Sequence, residues 1–318
     1  MFRGTSGVAV EYADNYLAKV VQVGETSIFT KVYGKGTPLL LLHGFPETSL
    51  LWREIAPILA SAGFQVICAD LRGYGDSSCP LSDDKHLPYS KRVMAQDMVE
   101  VMQYYGHQKF AVVGHDRGGR VAYRLALDHP KRIERLALLD ILPTKTVWDL
   151  ADDRLAIAYW PWSLLAQPEP LPEKILTSAA DEIVDNALRD WGSNPGAFPA
   201  SVRTVYIKAL SRPESAHAIC EEYRAAVTVD REHDQIGYDS QQKITCPTLV
   251  LWAAGGPLDT WYSRQSGPLA LWGEWAPHLQ GQAVDGGHFF PETKAPETAT
   301  LLRSFLLSAQ GNVADKRA

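Results

Sequence analysis

The run Val112-Val113-Gly114-His115-Asp116-Arg117-Gly118-Gly119-Arg120 decides how the chain is read. Before it, Phe110 to Val113 is a short apolar, β-branched stretch that reads as a buried strand. After it, Val121 and Leu125, with Ala122 and Ala126, recur at helical spacing until Asp128-His129-Pro130 stops the helix. Small residues at 114 and 118 let the backbone turn sharply between the two elements. The side chain between them, Asp116, is thereby pushed out at the carboxyl end of the strand. An ordinary strand-turn-helix with an acidic helix start gives the same short pattern, so the surrounding chain has to decide.

Working outward, Pro38 to Leu42 is another buried strand, and it leaves through His43-Gly44-Phe45-Pro46. Phe64 to Asp70 and Leu136 to Ile141 repeat the pattern, with Asp140 near the end of the second. Helical stretches separate these runs: Trp52 to Ala60, closed by Gly63, and Tyr89 to Tyr105. Val20 to Val32 alternates loosely and suits the first, antiparallel strands. Continuous apolar runs alternating with helices predict an α/β fold with a mostly parallel sheet covered on both faces. Sites in such sheets form at the carboxyl ends of the strands.

From Pro143 the texture changes. Helical periodicity and prolines fill nearly a hundred residues, and Pro172 to Trp191 reads as a helix with Ile175, Ile183 and Leu188 on one side. Strand pattern returns at Thr248 to Ala253 and ends with Val284-Asp285-Gly286-Gly287-His288. The expected organisation is therefore a core of residues 1–143 and 240–318, with an all-helical cap, 144–239, inserted between its two parts. The cap aromatics, among them Trp148, Tyr159, Trp160 and Tyr206, read mostly as packing.

At 318 residues the chain suits one large domain with an insertion, and 46% hydrophobic content suits a full core. A formal net charge of −6 argues against a nucleic-acid partner. Cys68, Cys79, Cys220 and Cys246 have no C-x-x-C spacing, so no metal or disulfide framework is expected. No apolar run approaches the roughly 20 residues of a membrane span. Met1 to Val10 lacks the pattern of a signal peptide, and a cytoplasmic protein is expected. The tail after Ala309 is polar and reads as frayed.

Asp116, Asp140 and His288 follow in that order, each just past a strand. Nucleophile, acid and histidine in this order can carry covalent catalysis at the end of a sheet. His288 is the expected base because its Gly-Gly loop lets the imidazole swing into a site. Of the other histidines, His115 should point to the side opposite Asp116, His43 should brace its loop, and His129 reads as a helix end. Arg117 and Arg120, three apart at a helix start, share one face and can grip a single carboxylate. Uncompensated guanidinium groups in a pocket imply an anionic ligand, although one or both could instead balance Asp116 and Asp140.

His43-Gly44-Phe45-Pro46, Gly114-His115-Asp116, the cap and the closing Gly-Gly-His resemble the dehalogenase and epoxide-hydrolase branch of the α/β-hydrolases. More narrowly, Gly114 to Arg120, Leu139-Asp140-Ile141-Leu142-Pro143-Thr144 and Leu165-Ala166-Gln167-Pro168-Glu169-Pro170 resemble the fluoroacetate (haloacetate) dehalogenases. The resemblance implies an α/β-hydrolase fold and a hydrolase without cofactor or metal. It also implies a small anionic organohalide as substrate and a homodimer. It offers the backbone N–H groups of Phe45 and Arg117 as an oxyanion hole. A His-Trp pair and a tyrosine meet the halide in that family; Trp162 and Tyr223 fit here, but Pro161 stands where the histidine is expected. Pro161 has no hydrogen to donate. Conversion of short 2-haloacids to 2-hydroxy acids through an aspartyl ester is the leading expectation, with defluorination left open. The alternatives are an epoxide hydrolase, with Tyr159 or Tyr223 as proton donor, and a non-catalytic binder of an acidic ligand.

Overall fold

The computed structural model describes residues 16–308, apart from the side chains of Pro195 and Ser263. The expectations for Met1 to Val10 and for the tail after Ala309 lie outside the described residues. Eight strands form one sheet: β1 (Tyr16–Val23), β2 (Thr26–Tyr33), β3 (Thr37–Leu42), β4 (Phe64–Ala69), β5 (Phe110–His115), β6 (Ile133–Leu139), β7 (Thr248–Ala253) and β8 (Leu279–Val284). Their spatial order is β1-β2-β4-β3-β5-β6-β7-β8. β2 pairs antiparallel with β1 and β4, and every later pairing is parallel. The mostly parallel α/β architecture is thus as expected, with the loosely alternating early strands forming its antiparallel edge.

The continuous apolar runs follow from burial on both faces. Leu39 and Leu41 of β3, Val113, Leu139 and Leu251 pack against Ile55 and Leu59 of α1 (Ile55–Ser61) and Leu302 and Phe305 of the helix Ala295–Leu307. The alternate residues, Leu40, Leu42, Val112, Leu138 and Val250, face Met98 of α2 (Lys91–Tyr104) and Val121 and Leu125 of α3 (Asp116–Asp128). Period-two alternation therefore produces two apolar faces rather than one. Each such aliphatic side chain contributes roughly 1.5–3 kcal/mol by leaving water.

Between β6 and β7 the chain holds eight α-helices: α4 (Thr144–Asp149), α5 (Asp153–Ala158), α6 (Pro161–Leu164), α7 (Leu171–Ser178), α8 (Ala180–Asp190), α9 (Ala200–Leu210), α10 (Pro213–Val227) and α11 (Val229–Asp239). The single helix read over Pro172 to Trp191 is in fact two. Ala179 has non-helical φ −132° and ψ 35°, and the Thr177 and Ser178 hydroxyls bond back to Glu173 and Lys174 carbonyls. Such local hydroxyl bonds compete with the helix ladder. Among the described residues, no helix is long and apolar enough to cross a membrane.

Candidate active site

The sharp turn at Asp116 is held open by glycine. A side chain on Gly114 would meet the Gly118 carbonyl at 2.4 Å, and one on Gly118 would meet the His43 carbonyl at 2.4 Å. The helix starts at Asp116 itself, five residues before the apolar periodicity shows. Asp116 takes φ 43°, in the left-handed region where non-glycine residues are strained. That conformation presents its carboxylate beyond the end of β5. The Phe45 backbone N–H donates to Asp116 Oδ2 at 3.0 Å. Arg117 N–H lies in the first turn of α3, where helix N–H groups lack intrahelical partners. Burial alone would raise the Asp116 pKa, but His288, Arg117, His115 and Arg120 outweigh it and hold the carboxyl below its usual range.

Asp140 also takes a left-handed backbone, φ 53°, just past β6. Its Oδ1 accepts the Ala253 N–H at 2.9 Å, and Oδ2 lies 2.6 Å from His288 Nδ1. A carboxylate only accepts, so Nδ1 carries the proton and Nε2 is left as the base. Nε2 is buried and has no hydrogen-bond partner among the described residues. Trp191 binds the His288 loop from the helical side: its carbonyl accepts the His288 N–H at 2.8 Å, and its ring lies edge-on 5.5 Å from the imidazole.

Asp116, Asp140 and His288 all line one cavity of about 30 Å³, together with Arg120, Tyr159, Trp162, Trp261 and Tyr262. A buried water needs roughly 10–15 Å³ on the same measure, so the space suits a ligand of only a few heavy atoms. A wider cleft of about 430 Å³ shares Tyr159, Pro257 and His288 with it.

The two arginines differ. Arg120 Nη1 donates to the Leu142 carbonyl at 2.9 Å and to Thr144 Oγ1 at 3.2 Å, and its Nε is buried without a partner. No carboxylate pairs with it among the described residues, and its guanidinium lies 4.3 Å from the Trp162 ring centroid. Burial, then the nearby Arg117 charge, lower its pKa. Arg117 is instead met by Glu222, which accepts from Nε at 2.9 and 2.8 Å and also from Nη2. Its Nη1 alone is buried and unpartnered. The charge of one arginine is therefore balanced, but by neither Asp116 nor Asp140.

Trp162 lines the cavity, with the Arg120 and Arg117 guanidinium groups 4.3 and 5.3 Å from its ring centroid. Tyr223 is not among the lining residues; it packs edge-on to Phe45 at 5.8 Å, with Arg117 4.0 Å from its ring centroid. Pro161, also off the lining, opens α6. His43 does brace its loop, accepting the Leu71 N–H at Nε2 and bonding the Gly44 carbonyl through Nδ1. His129 caps the end of α3.

Among the buried charges that escaped the sequence reading are Glu222, Lys91, which pairs with it, and Glu47, which bonds His115. Glu222 carried a signal, because Ala218, Glu222 and Ala226 share one helical face and both alanines are buried. Among the described residues, one group could hold a metal ion: Glu169, Glu173 and His217. It lines no part of the cavity, and Arg224 already pairs with Glu173 at 2.7 Å.

Residues 37–295 match the family described as the alpha/beta hydrolase fold. The chain is 38% identical to a fluoroacetate dehalogenase from a Burkholderia species, over 94% of this chain and 97% of that protein. It is 32% identical to a soluble epoxide hydrolase from Corynebacterium sp. (strain C12), over 82% and 87%. The crystal structure of ALR0039 from Nostoc sp. PCC 7120 superposes with a TM-score of 0.88 at 46% identity, covering 93% of this chain and 99% of that one. A sheet of this order, an elbow carrying Asp116 and relatives matched over nearly their whole length lead to one conclusion: the chain is a hydrolase of the α/β-hydrolase superfamily, in its haloacetate dehalogenase-like family.

Proposed function

We propose that the protein releases halide from short 2-haloacids and yields 2-hydroxy acids. One observation carries this reading: Arg120, a buried guanidinium with no carboxylate partner, lines a cavity of about 30 Å³ beside Asp116. A buried unpaired charge is costly, so an anionic ligand is expected there. The free Arg120 Nε–H offers the substrate carboxylate a donor at the cavity, and Arg117, which does not line it, adds its charge from outside the lining. The small volume favours two-carbon acids.

A carboxylate nucleophile needs no base for attack on a saturated carbon. Asp116 forms a C–O bond to the carbon bearing the halogen, and the halide leaves with the electron pair. His288 Nε2 then takes a proton from water, whose oxygen attacks the aspartyl carbonyl carbon. Asp140 holds the imidazole and meets its charge. The Phe45 and Arg117 N–H groups face the resulting oxyanion. Collapse frees the 2-hydroxy acid, which takes its proton from His288, and restores Asp116. Trp162 lines the space the halide leaves through, and the helices over the sheet act as a cap on the site.

The test is free halide measured by ion chromatography from fluoro-, chloro- and bromoacetate, beside diol formation from a small epoxide. Halide release is expected. Diol without halide would replace this reading with an epoxide hydrolase, and no turnover of either would leave a binder of acidic ligands.

A further inference from the structure

Glu222 is a buried carboxylate that the two-step chemistry does not use. It comes from α10, while Lys91 opens α2 in the sheet domain, and both are almost fully buried at the back of Arg117. Lys91 Nζ bonds Glu222 Oε1 and lies 3.4 Å from Asp230 Oδ2; Tyr74 donates its hydroxyl to Glu222 at 3.2 Å. Burial raises the Glu222 pKa, but Arg117 and Lys91 outweigh it and hold the carboxylate below its ordinary range. The charges of Lys91, Arg117, Glu222 and Asp230 cancel. Removing one leaves a unit charge that acts on the site through protein, where Coulomb interactions are several-fold stronger than in water.

We propose that Lys91 and Glu222 set how tightly the cavity holds small anions. Glu222 offsets Arg117, so Arg120 alone pulls at full strength, and Lys91 limits how far that offset reaches. After displacement the site holds a halide and a carboxylate together. Two unbalanced arginines would retain both, whereas one lets product leave. The inference rests on Arg120 as the carboxylate anchor, with Arg117 acting through its charge, but not on carbon–halogen chemistry.

The experiment measures acetate dissociation constants by calorimetry on the intact protein at one ionic strength. Acetate has the charge of the proposed substrate and no leaving group. Glu222→Gln adds one positive charge to the cluster and should tighten acetate roughly tenfold; Lys91→Met removes one and should weaken it by a similar factor. The double variant Lys91→Met/Glu222→Gln restores the balance and should return within about threefold of the parent. A pure anchoring role for Glu222 predicts weaker binding in Glu222→Gln and in the double variant alike, and that result overturns the proposal. Unchanged affinity in both single variants also overturns it, as does a parent that does not bind acetate. If Glu222→Gln fails to fold, Lys91→Met and the double variant decide. Weakening in the first with parity in the second supports the proposal, and any other pair overturns it. The predicted acetate series in a protein that releases no halide would sink the dehalogenase reading alone.

Discussion

His115 donates Nε2–H to the backbone carbonyl of His288 at 2.9 Å, and its Nδ1–H meets Glu47 Oε2 at 3.0 Å. The ring is therefore not idle on the far side of the strand; its centroid lies 4.7 Å from that of His288, and it fixes the loop carrying the base. Two oxygen acceptors require both ring nitrogens to be protonated, so the folded protein holds His115 as an imidazolium.

A pH dependence follows. Burial alone would lower the His115 pKa, but Glu47, with Asp116 and Asp140 beyond it, raises it to about 9. The folded value lies above the unfolded one, so this stabilisation is fully present below about pH 6.5 and is lost as pH rises through 9. It is worth on the order of 3 kcal/mol at most. Thermal unfolding between pH 6 and 10 should show the parent losing more stability than His115→Gln. Parallel curves would remove the charge from His115.

His288 acts only in the second step, so His288→Ala should stop after the first. Incubation with bromoacetate should add one carboxymethyl group to the intact protein, and peptide mapping should place it on Asp116. Halide released with an unmodified Asp116 peptide excludes the ester intermediate.

Arg120 is the cation with no carboxylate partner at the cavity. Truncating one partner of a buried charge pair costs about 2–5 kcal/mol, so Arg120→Leu should lower kcat/KM for chloroacetate at least about thirtyfold. The parent should also be poor on 1-chlorobutane, which carries no carboxylate. Equal rates on the two substrates would make the site that of a haloalkane enzyme.

The strands, the elbow and the order of Asp116, Asp140 and His288 were legible because each leaves a local mark. A strand buried on both faces reads as a continuous apolar run, and Leu39 to Leu42 shows why: successive residues enter opposite cores. Charge pairing leaves no such mark. Glu222 meets Arg117 across 105 residues of sequence, and its helical spacing with Ala218 and Ala226 hints at burial without naming the partner. Glu47 meets His115 across 68 residues, and nothing near His115 announces it. The break at Ala179 was harder to read, because alanine itself favours helix and only the neighbouring Thr177 and Ser178 hydroxyls compete with the ladder.

The choice of halogen depends on what meets the departing ion. Trp162, Tyr159 and Tyr262 line the cavity, and no hydrogen bond engages the Trp162 indole N–H or either tyrosine hydroxyl among the described residues. Fluoride leaves as a compact, strongly solvated charge and needs such donors more than chloride or bromide does. Losing one well-placed donor to developing charge costs on the order of 10²–10³ in rate. Trp162→Phe keeps an aromatic face for the guanidinium groups but removes the N–H. Its fluoroacetate rate should fall well below its bromoacetate rate, relative to the parent. The parent itself should turn over chloro- or bromoacetate faster than fluoroacetate, because chloride and bromide are the better leaving groups. Pro161→His should shift that ratio toward fluoride. Position 161 opens α6, where proline's missing N–H has no helical role, so the backbone should tolerate the change. A parent that already prefers fluoroacetate, with Pro161→His neutral, would assign the halide to the tyrosines, and Tyr159→Phe would then carry the selective loss.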